Sequence, residues 1–142
     1  MKKIITLTLL VFSFTTLAST HSFSCFEEGD ANGRRSAILC RGVKSAKESA
    51  IVQKCYREST LDGDLSAVLC SGVRSDKDIA TVFSCFYEIN ENPERSATLC
   101  SGIKKAKEIS KIMDCYNEAP ANGDRSAVLC STNGVGAVLF PE

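Results

Sequence analysis

The cysteines of this chain recur at a constant spacing of 15 residues. The eight of them are Cys25, Cys40, Cys55, Cys70, Cys85, Cys100, Cys115 and Cys130. The flanking sequence repeats every 30 residues, and the segments RRSAILC, DLSAVLC, ERSATLC and DRSAVLC end at every second cysteine. A period of this length is typical of stacked-repeat folds, in which neighbouring units complete a shared core. We therefore divide the chain into units that begin at Cys25, Cys55, Cys85 and Cys115.

Each unit carries the signals of a longer helix. Its start is a capping box, in which a serine and an acidic residue three positions later each accept from an amide at the helix start. Ser45 with Glu48 and Ser75 with Asp78 fit this pattern, whereas Lys105 replaces the serine in the third unit and predicts a weaker cap. Apolar residues then follow at helical spacing and predict a core-facing stripe. The stripe contains Ile79, Val82, Phe83, Phe86, Ile109, Ile112, Met113 and Tyr116, and in the looser first unit Ser49, Val52, Gln53 and Tyr56.

A shorter helix follows in each unit. It begins after an N-cap of a favoured type, and these caps are Asn32, Asp62, Asn92 and Asn122. The helix ends near a glycine at Gly42, Gly72 and Gly102, which is typical of a Schellman cap with the next apolar residue folded back onto the helix. A buried strand is the alternative for a run such as SAVLC, but the paired start and stop signals favour a helix. The sequence therefore predicts an all-α fold, a short α-solenoid of about four helical hairpins.

Both ends of the array depart from the repeat. His21 to Glu28 supplies only the last turns of a long helix, and after Cys130 the chain loses the repeated glycine and ends in TNGVGAVLFPE. Repeat arrays need atypical ends to cover their last exposed faces. We therefore predict a single domain over residues 21–142, in which residues 131–142 form a C-terminal cap.

The cysteines can pair with their neighbours in two registers. Residues that face each other in a helical hairpin are symmetric about its turn. Cys55 and Cys70 are centred on the turn, whereas Cys70 and Cys85 are centred inside the long helix, where the chain does not reverse. The first register also uses every cysteine, so we predict the bridges Cys25–Cys40, Cys55–Cys70, Cys85–Cys100 and Cys115–Cys130. A bridge needs closely approaching helices, and the small residues Ala37, Ala67, Ala97 and Ala127 provide the room.

The predicted arrangement of one bridge in each helical hairpin resembles the disulfide-bridged, cysteine-rich helical-repeat proteins that some bacteria secrete. Units in that group are longer, and their paired cysteines are closer together. The resemblance therefore covers the architecture alone and carries over no residue and no activity.

The first twenty residues have the pattern of a secretory signal. Lys2 and Lys3 precede an apolar stretch from Ile4 to about Leu17, and the small residues Ala18, Ser19 and Thr20 follow. An uncleaved N-terminal anchor is the alternative. We predict a signal peptide over residues 1–20 and a mature chain without a membrane span, located in the periplasm or outside a bacterial cell.

Composition excludes several function classes. Lys and Arg together number 17, as do Asp and Glu, so no excess positive charge attracts nucleic acid. His21 is the only histidine, and neither zinc nor haem spacing occurs among the cysteines. Hydrolase and phosphate-loop motifs are also absent from the sequence. We therefore expect no metal, no cofactor and no enzymatic activity.

Two sets of charged residues have predicted structural roles. The recurring acids Glu28, Glu58, Glu88 and Glu118 are expected to face the start of the following short helix or to pair with Arg35, Arg95 and Arg125. The basic run Lys104, Lys105 and Lys107 is interpreted as a solvated helix face, with an acidic partner as the alternative.

The hairpin turns vary between units and predict a binding edge. Repeat proteins often place recognition residues along such an edge, although turns also vary when nothing constrains them. The candidate partner-binding residues are Arg57, Leu61, Tyr87, Ile89 and Asn117. We predict a non-catalytic module that binds a protein or a cell-envelope component. The alternative is a secreted effector or inhibitor that acts on another cell's protein or envelope.

Overall fold

A computed structural model of the chain describes residues 20–29, 31–120 and 123–140. Long and short helices alternate through these residues, and no strand occurs among them. The helices are α1 (Thr20–Glu28), α2 (Gly33–Leu39), α3 (Ala46–Glu58), α4 (Gly63–Cys70), α5 (Asp76–Glu88), α6 (Pro93–Cys100), α7 (Lys107–Glu118) and α8 (Gly123–Cys130), followed by a 3₁₀-helix (Val135–Leu139). The all-α prediction is confirmed. Residues 1–19 of the predicted signal peptide, the predicted cap Asn122 and the side chain of Glu28 lie outside the described part.

The long helices begin at the predicted serines. Ser45 Oγ accepts from the Glu48 amide at 3.1 Å, and Ser75 Oγ accepts from the Asp78 amide at 3.2 Å. In a capping box the acid would accept from the amide of the cap serine. Glu48 Oε2 instead accepts from the amide of Lys44, one residue earlier, at 2.8 Å. Helix α7 has no side-chain cap, and it starts one residue later in its unit than α3 and α5 do, since Lys105 has no acceptor to offer.

The short helices end in a different turn from the predicted one. Gly72 has φ +82°, which only glycine adopts without strain, and Ser71 before it is extended at φ −60°, ψ 136°. The Val73 amide donates to the carbonyl of Cys70 at 3.2 Å, so these four residues form a type II β-turn. The Schellman prediction is therefore wrong in its hydrogen-bond pattern, although the glycine has the predicted left-handed conformation.

Stacking of the short helices builds the core of the array. Helix α2 packs against α4, α4 against α6, and α6 against α8, while each long helix packs against the short helix of its own hairpin. The leucine and the alanine of each short helix lie on opposite sides of this row. Leu39, Leu69 and Leu99 are fully buried, as are Ala67, Ala97 and Ala127. The exceptions are at the two ends of the array, where Ala37 and Leu129 are exposed.

Four disulfides fasten the hairpins. They join Cys25 to Cys40, Cys55 to Cys70, Cys85 to Cys100 and Cys115 to Cys130, with Cα–Cα distances of 5.7 to 5.8 Å. This is the pairing that hairpin symmetry predicts, and it leaves no free cysteine. Each bridge links the last turns of a long helix to the end of the following short helix or to the residue after it.

The C-terminal segment lies across the row of short helices rather than over the end of the array. A Cβ at Gly136 would come within 2.2 Å of Thr98 on α6, so the backbone passes directly over that helix. Further along, Arg34 Nη2 on α2 donates to the carbonyl of Val138 at 2.7 Å. Leu129 on α8 stays 69 % exposed. The predicted terminating cap is thus wrong in its placement, because glycine at position 136 permits a close crossing of the middle units.

A buried polar row joins the β-turns of successive units. Ser71 Oγ and Ser101 Oγ are 3.0 Å apart, and Ser101 Oγ donates to the carbonyl of Val68 at 2.6 Å. In the last unit Asn133 Nδ2 donates to Ser101 Oγ at 2.8 Å. Because a buried hydroxyl without a partner is costly, this row requires the turns to stack in register.

Candidate functional site

The predicted edge residues occupy two different environments. Arg57, Tyr87 and Asn117 are exposed at the ends of α3, α5 and α7, one repeat apart, and we call these three residues the turn-edge ladder. Tyr87 is 70 % exposed, and its ring lies edge-on to Phe86 with centroids 5.5 Å apart and planes at 87°. The side chain is therefore held by an aromatic neighbour while most of its surface faces solvent.

Ile89 and Leu61 do not face solvent as predicted. Ile89 is 4 % exposed and belongs to the core, and Leu61 is half-buried against it. Ile89 follows the last residue of α5, and its carbonyl accepts from Ser96 Oγ at 3.2 Å, so the reversing chain turns this residue inward. The prediction that Ile89 anchors a partner is therefore wrong, and Leu61 offers only part of its side chain.

Among the recurring acids whose side chains the structure describes, Glu58 and Glu88 bond within their own helices. Glu58 is 3.8 Å from Lys54, and Glu88 Oε1 accepts from Ser84 Oγ at 2.8 Å, both within their own helices. Glu118 is exposed. The predicted pairing of Glu88 with Arg95 is therefore wrong, because Arg95 bonds to Asp124 in the first turn of the next unit's short helix.

Two arginines instead link neighbouring units. Arg35 Nε donates to Asp64 Oδ1 at 2.9 Å, and this hydrogen bond lowers the pKa of the Asp64 carboxyl. The guanidinium also lies on Gly63, where a Cβ would be 2.3 Å away. Arg95 repeats both contacts with Asp124, at 2.8 Å, and with Gly123.

A sequence signal for this link was present but is visible only between units. Arg35 is followed one repeat later by Gly63 and Asp64, and Arg95 by Gly123 and Asp124. Where Leu65 replaces the arginine, the next unit has Pro93 instead of the glycine. Gly63 and Gly123 each lie beneath a guanidinium, whereas the equivalent Gly33 in the first unit has only Phe26 nearby.

A tyrosine of the fourth unit is hydrogen-bonded to an acid in the turn of the third unit. Tyr116 Oη donates to Glu91 Oε2 at 3.1 Å, and Arg95 Nη1 lies 3.6 Å from the same carboxylate oxygen. Burial, followed by the bond to Glu91, raises the pKa of Tyr116. Glu91 precedes α6 in the variable turn, so this turn is held in one conformation by the neighbouring helix.

Lys104 has an acidic partner, which was the alternative interpretation of the basic run. Its Nζ donates to Asp78 Oδ2 at 2.7 Å and also to the carbonyl of Gly72. Lys105 and Lys107 are exposed, as the solvated-face interpretation predicted. Burial acts to raise the pKa of Asp78, but the hydrogen bonds from Lys104 and from the Arg74 amide outweigh burial, so the pKa is lowered.

Asp78 should contribute to stability above its unfolded pKa of about 3.9 and lose that contribution as pH falls through its lower folded value. We expect Asp78→Asn to lower the free energy of unfolding at pH 7 by about 1–2 kcal/mol, because a charged hydrogen bond is lost. The loss should vanish near pH 2 in urea denaturation curves. The matched control is Asp76→Asn, which removes an exposed pair with Lys54 and should cost at most about 0.5 kcal/mol. Equal losses at pH 7 and pH 2 would contradict the assignment.

Two surface grooves adjoin the array. One of about 300 Å³ lies beside the C-terminal segment, between Arg34, Asp62, Asp64, Glu94 and Leu139. The other, of about 290 Å³, is more apolar and lies at the N-terminal end between Phe23, Phe26, Ala37 and Cys40. Within the described ranges no three His, Cys, Asp or Glu residues come together as metal ligands would.

No protein-family model, curated protein or solved structure matches the chain. Of the helices described here, none combines the length and the apolar character needed to cross a bilayer.

Proposed function

We propose that the protein is an exported, non-catalytic module that binds a protein or cell-envelope component in the periplasm or outside a bacterial cell. The pairing of all eight cysteines in disulfides carries the export part of the proposal. Disulfides form and persist in oxidising compartments and are rare where thiols are kept reduced. The chain therefore suits the space beyond the inner membrane.

The turn-edge ladder is the proposed binding surface. Tyrosine and arginine are among the residue types enriched at the energetic centres of protein interfaces, and the ladder contains both Tyr87 and Arg57. Stacked helices with bridged ends fix the backbone at these three positions, so little backbone entropy should be lost on binding. Tyr87 is the observation that carries this part, because 70 % of its surface faces solvent while one edge of its environment is fixed by the Phe86 ring.

A photo-crosslinking amino acid at position 87 tests the proposal. We expect it to capture one discrete partner from living cells, and Tyr87→Asp to lower the affinity for that purified partner at least tenfold, which is about 1.4 kcal/mol. Ala80→Asp provides the control, since Ala80 is exposed on the same helix outside the ladder.

Binding that is equally tight in wild type, Tyr87→Asp and Ala80→Asp would show that the partner uses another surface. A partner located in the cytoplasm would contradict the export part of the proposal. An inhibitory effect of the added protein on other cells, lost in Tyr87→Asp, would assign the same ladder to the effector alternative.

A further inference from the structure

Every internal junction between neighbouring units is formed by the same two faces of the short helices. The leucine side of one short helix faces the following unit, because Leu39 is fully buried even in the first unit. The alanine side faces the preceding unit, because Ala127 is fully buried even in the last. The two faces are complementary, and three internal junctions bring them together.

At the N-terminal end of the array the second of these faces has no preceding unit among the residues that the structure describes. Ala37 is exposed there, and Phe23 is 61 % exposed. Position 23 is also directed toward a preceding unit, since its equivalent Gln53 reaches back to the carbonyl of Cys25 with Nε2–O 3.3 Å. Phe23 and Ala37 line the apolar groove of about 290 Å³.

The C-terminal end presents the leucine face without a following unit. Leu129 is 69 % exposed, whereas its equivalents Leu39, Leu69 and Leu99 have no exposed surface. The C-terminal segment leaves this face open because it crosses α6 and reaches Arg34 on α2 instead. One chain thus exposes both halves of a junction that it forms three times internally.

We propose that the protein associates head to tail, with Leu129 of one copy seated in the Phe23–Ala37 groove of the next. The contact continues the internal stack across two chains, which makes the occupant of the groove a second copy of this chain. Because the two faces differ, the contact is heterologous, and it extends into a filament unless the rotation between copies closes a ring.

One pair of charges opposes this contact. Within the chain Arg35 meets Asp64 and Arg95 meets Asp124 across a junction. At the junction between copies the same positions are Arg125 and Arg34, both exposed. Salt screens such repulsion between exposed charges while leaving apolar burial intact, so higher ionic strength should strengthen association.

Analytical ultracentrifugation of the exported protein with its bridges formed tests the proposal, over about 1 µM to about 1 mM. We expect the average mass of the wild type to rise with concentration and with salt. Leu129→Asp and Phe23→Asp each block one end, so each alone should stay monomeric. An equimolar mixture should form a heterodimer and nothing larger, since each variant keeps one intact face.

Several results would overturn head-to-tail association. These are a wild type that stays monomeric at about 1 mM, blocked variants that associate like the wild type, and two folded variants that remain monomeric when mixed. Ala37→Asp is a second block of the groove, for use if Phe23→Asp alters the circular dichroism spectrum. Tyr87→Asp is the control and should associate normally. The measurement uses purified protein alone, so it depends on the proposed export but not on the proposed turn-edge partner.

Discussion

Reduction of the four disulfides is expected to unfold the array. Each bridge closes a loop of 15 residues and should contribute about 3 kcal/mol by restricting the unfolded chain. If the four contributions added, their sum would be on the order of 10 kcal/mol, comparable with the whole stability of a domain of this size. The short helices are 7 or 8 residues long, and helices of that length are not stable in water without tertiary support.

Far-UV circular dichroism during titration with dithiothreitol measures this effect, and oxidised dithiothreitol at the same concentration is the control. We expect the helical signal and the cooperative melt to disappear together as reduction produces free thiols. Removal of the Cys85–Cys100 bridge alone, by alanine at both positions, should lower the melting temperature by roughly 10 °C. A fully reduced chain that still melted cooperatively at the oxidised temperature would contradict a structure fastened by its bridges.

The repeat period predicted the fold because its signals lie within one unit. A polar cap, an apolar stripe and a glycine stop are all read within 30 residues, and the glycine stop recurs in three units. The hairpin symmetry about positions such as Asp62 also selects one cysteine register. Local signals of this kind decide helix boundaries and the pairing of helices that adjoin in sequence.

Contacts between units were missed because no single unit contains both partners. Arg95 reaches Asp124 across 29 positions, whereas Glu88 in its own hairpin bonds to Ser84. The C-terminal segment is a stronger case, since Arg34 bonds to Val138 across 104 positions. The segment does not repeat, and its only local hint was the pair of glycines, one of which allows the crossing over Thr98.

The candidate binding edge was predicted only in part, because the repeat period fixes which positions share an edge but not which of them face solvent. The period places Arg57, Tyr87 and Asn117 on one edge, and all three are exposed. Variation between units does not distinguish an exposed turn residue from one that the reversing chain buries. Position 89 differs from its equivalents in the other units, and Ile89 is nevertheless buried. The turn after α5 directs its side chain into the core.

Replacement of one repeated leucine by alanine should have opposite consequences in the third and fourth units. Leu99 is fully buried, so Leu99→Ala should lower the free energy of unfolding by about 2–5 kcal/mol through lost burial and the cavity left behind. Leu129 occupies the same position of the repeat but is 69 % exposed, so Leu129→Ala should change it by less than about 0.5 kcal/mol. The two helices, ERSATLC and DRSAVLC, are closely matched in sequence, which makes each variant the control for the other.

Urea denaturation of dilute protein, where copies do not associate, measures both values, with an unchanged slope as the sign that the unfolded state is unaffected. A large loss in both variants would mean that something covers the last unit, and head-to-tail association would then lack its free leucine face. A small loss in both would mean that the units do not bury one another. Only the unequal result fits a stack that is complete between its units and open at its end.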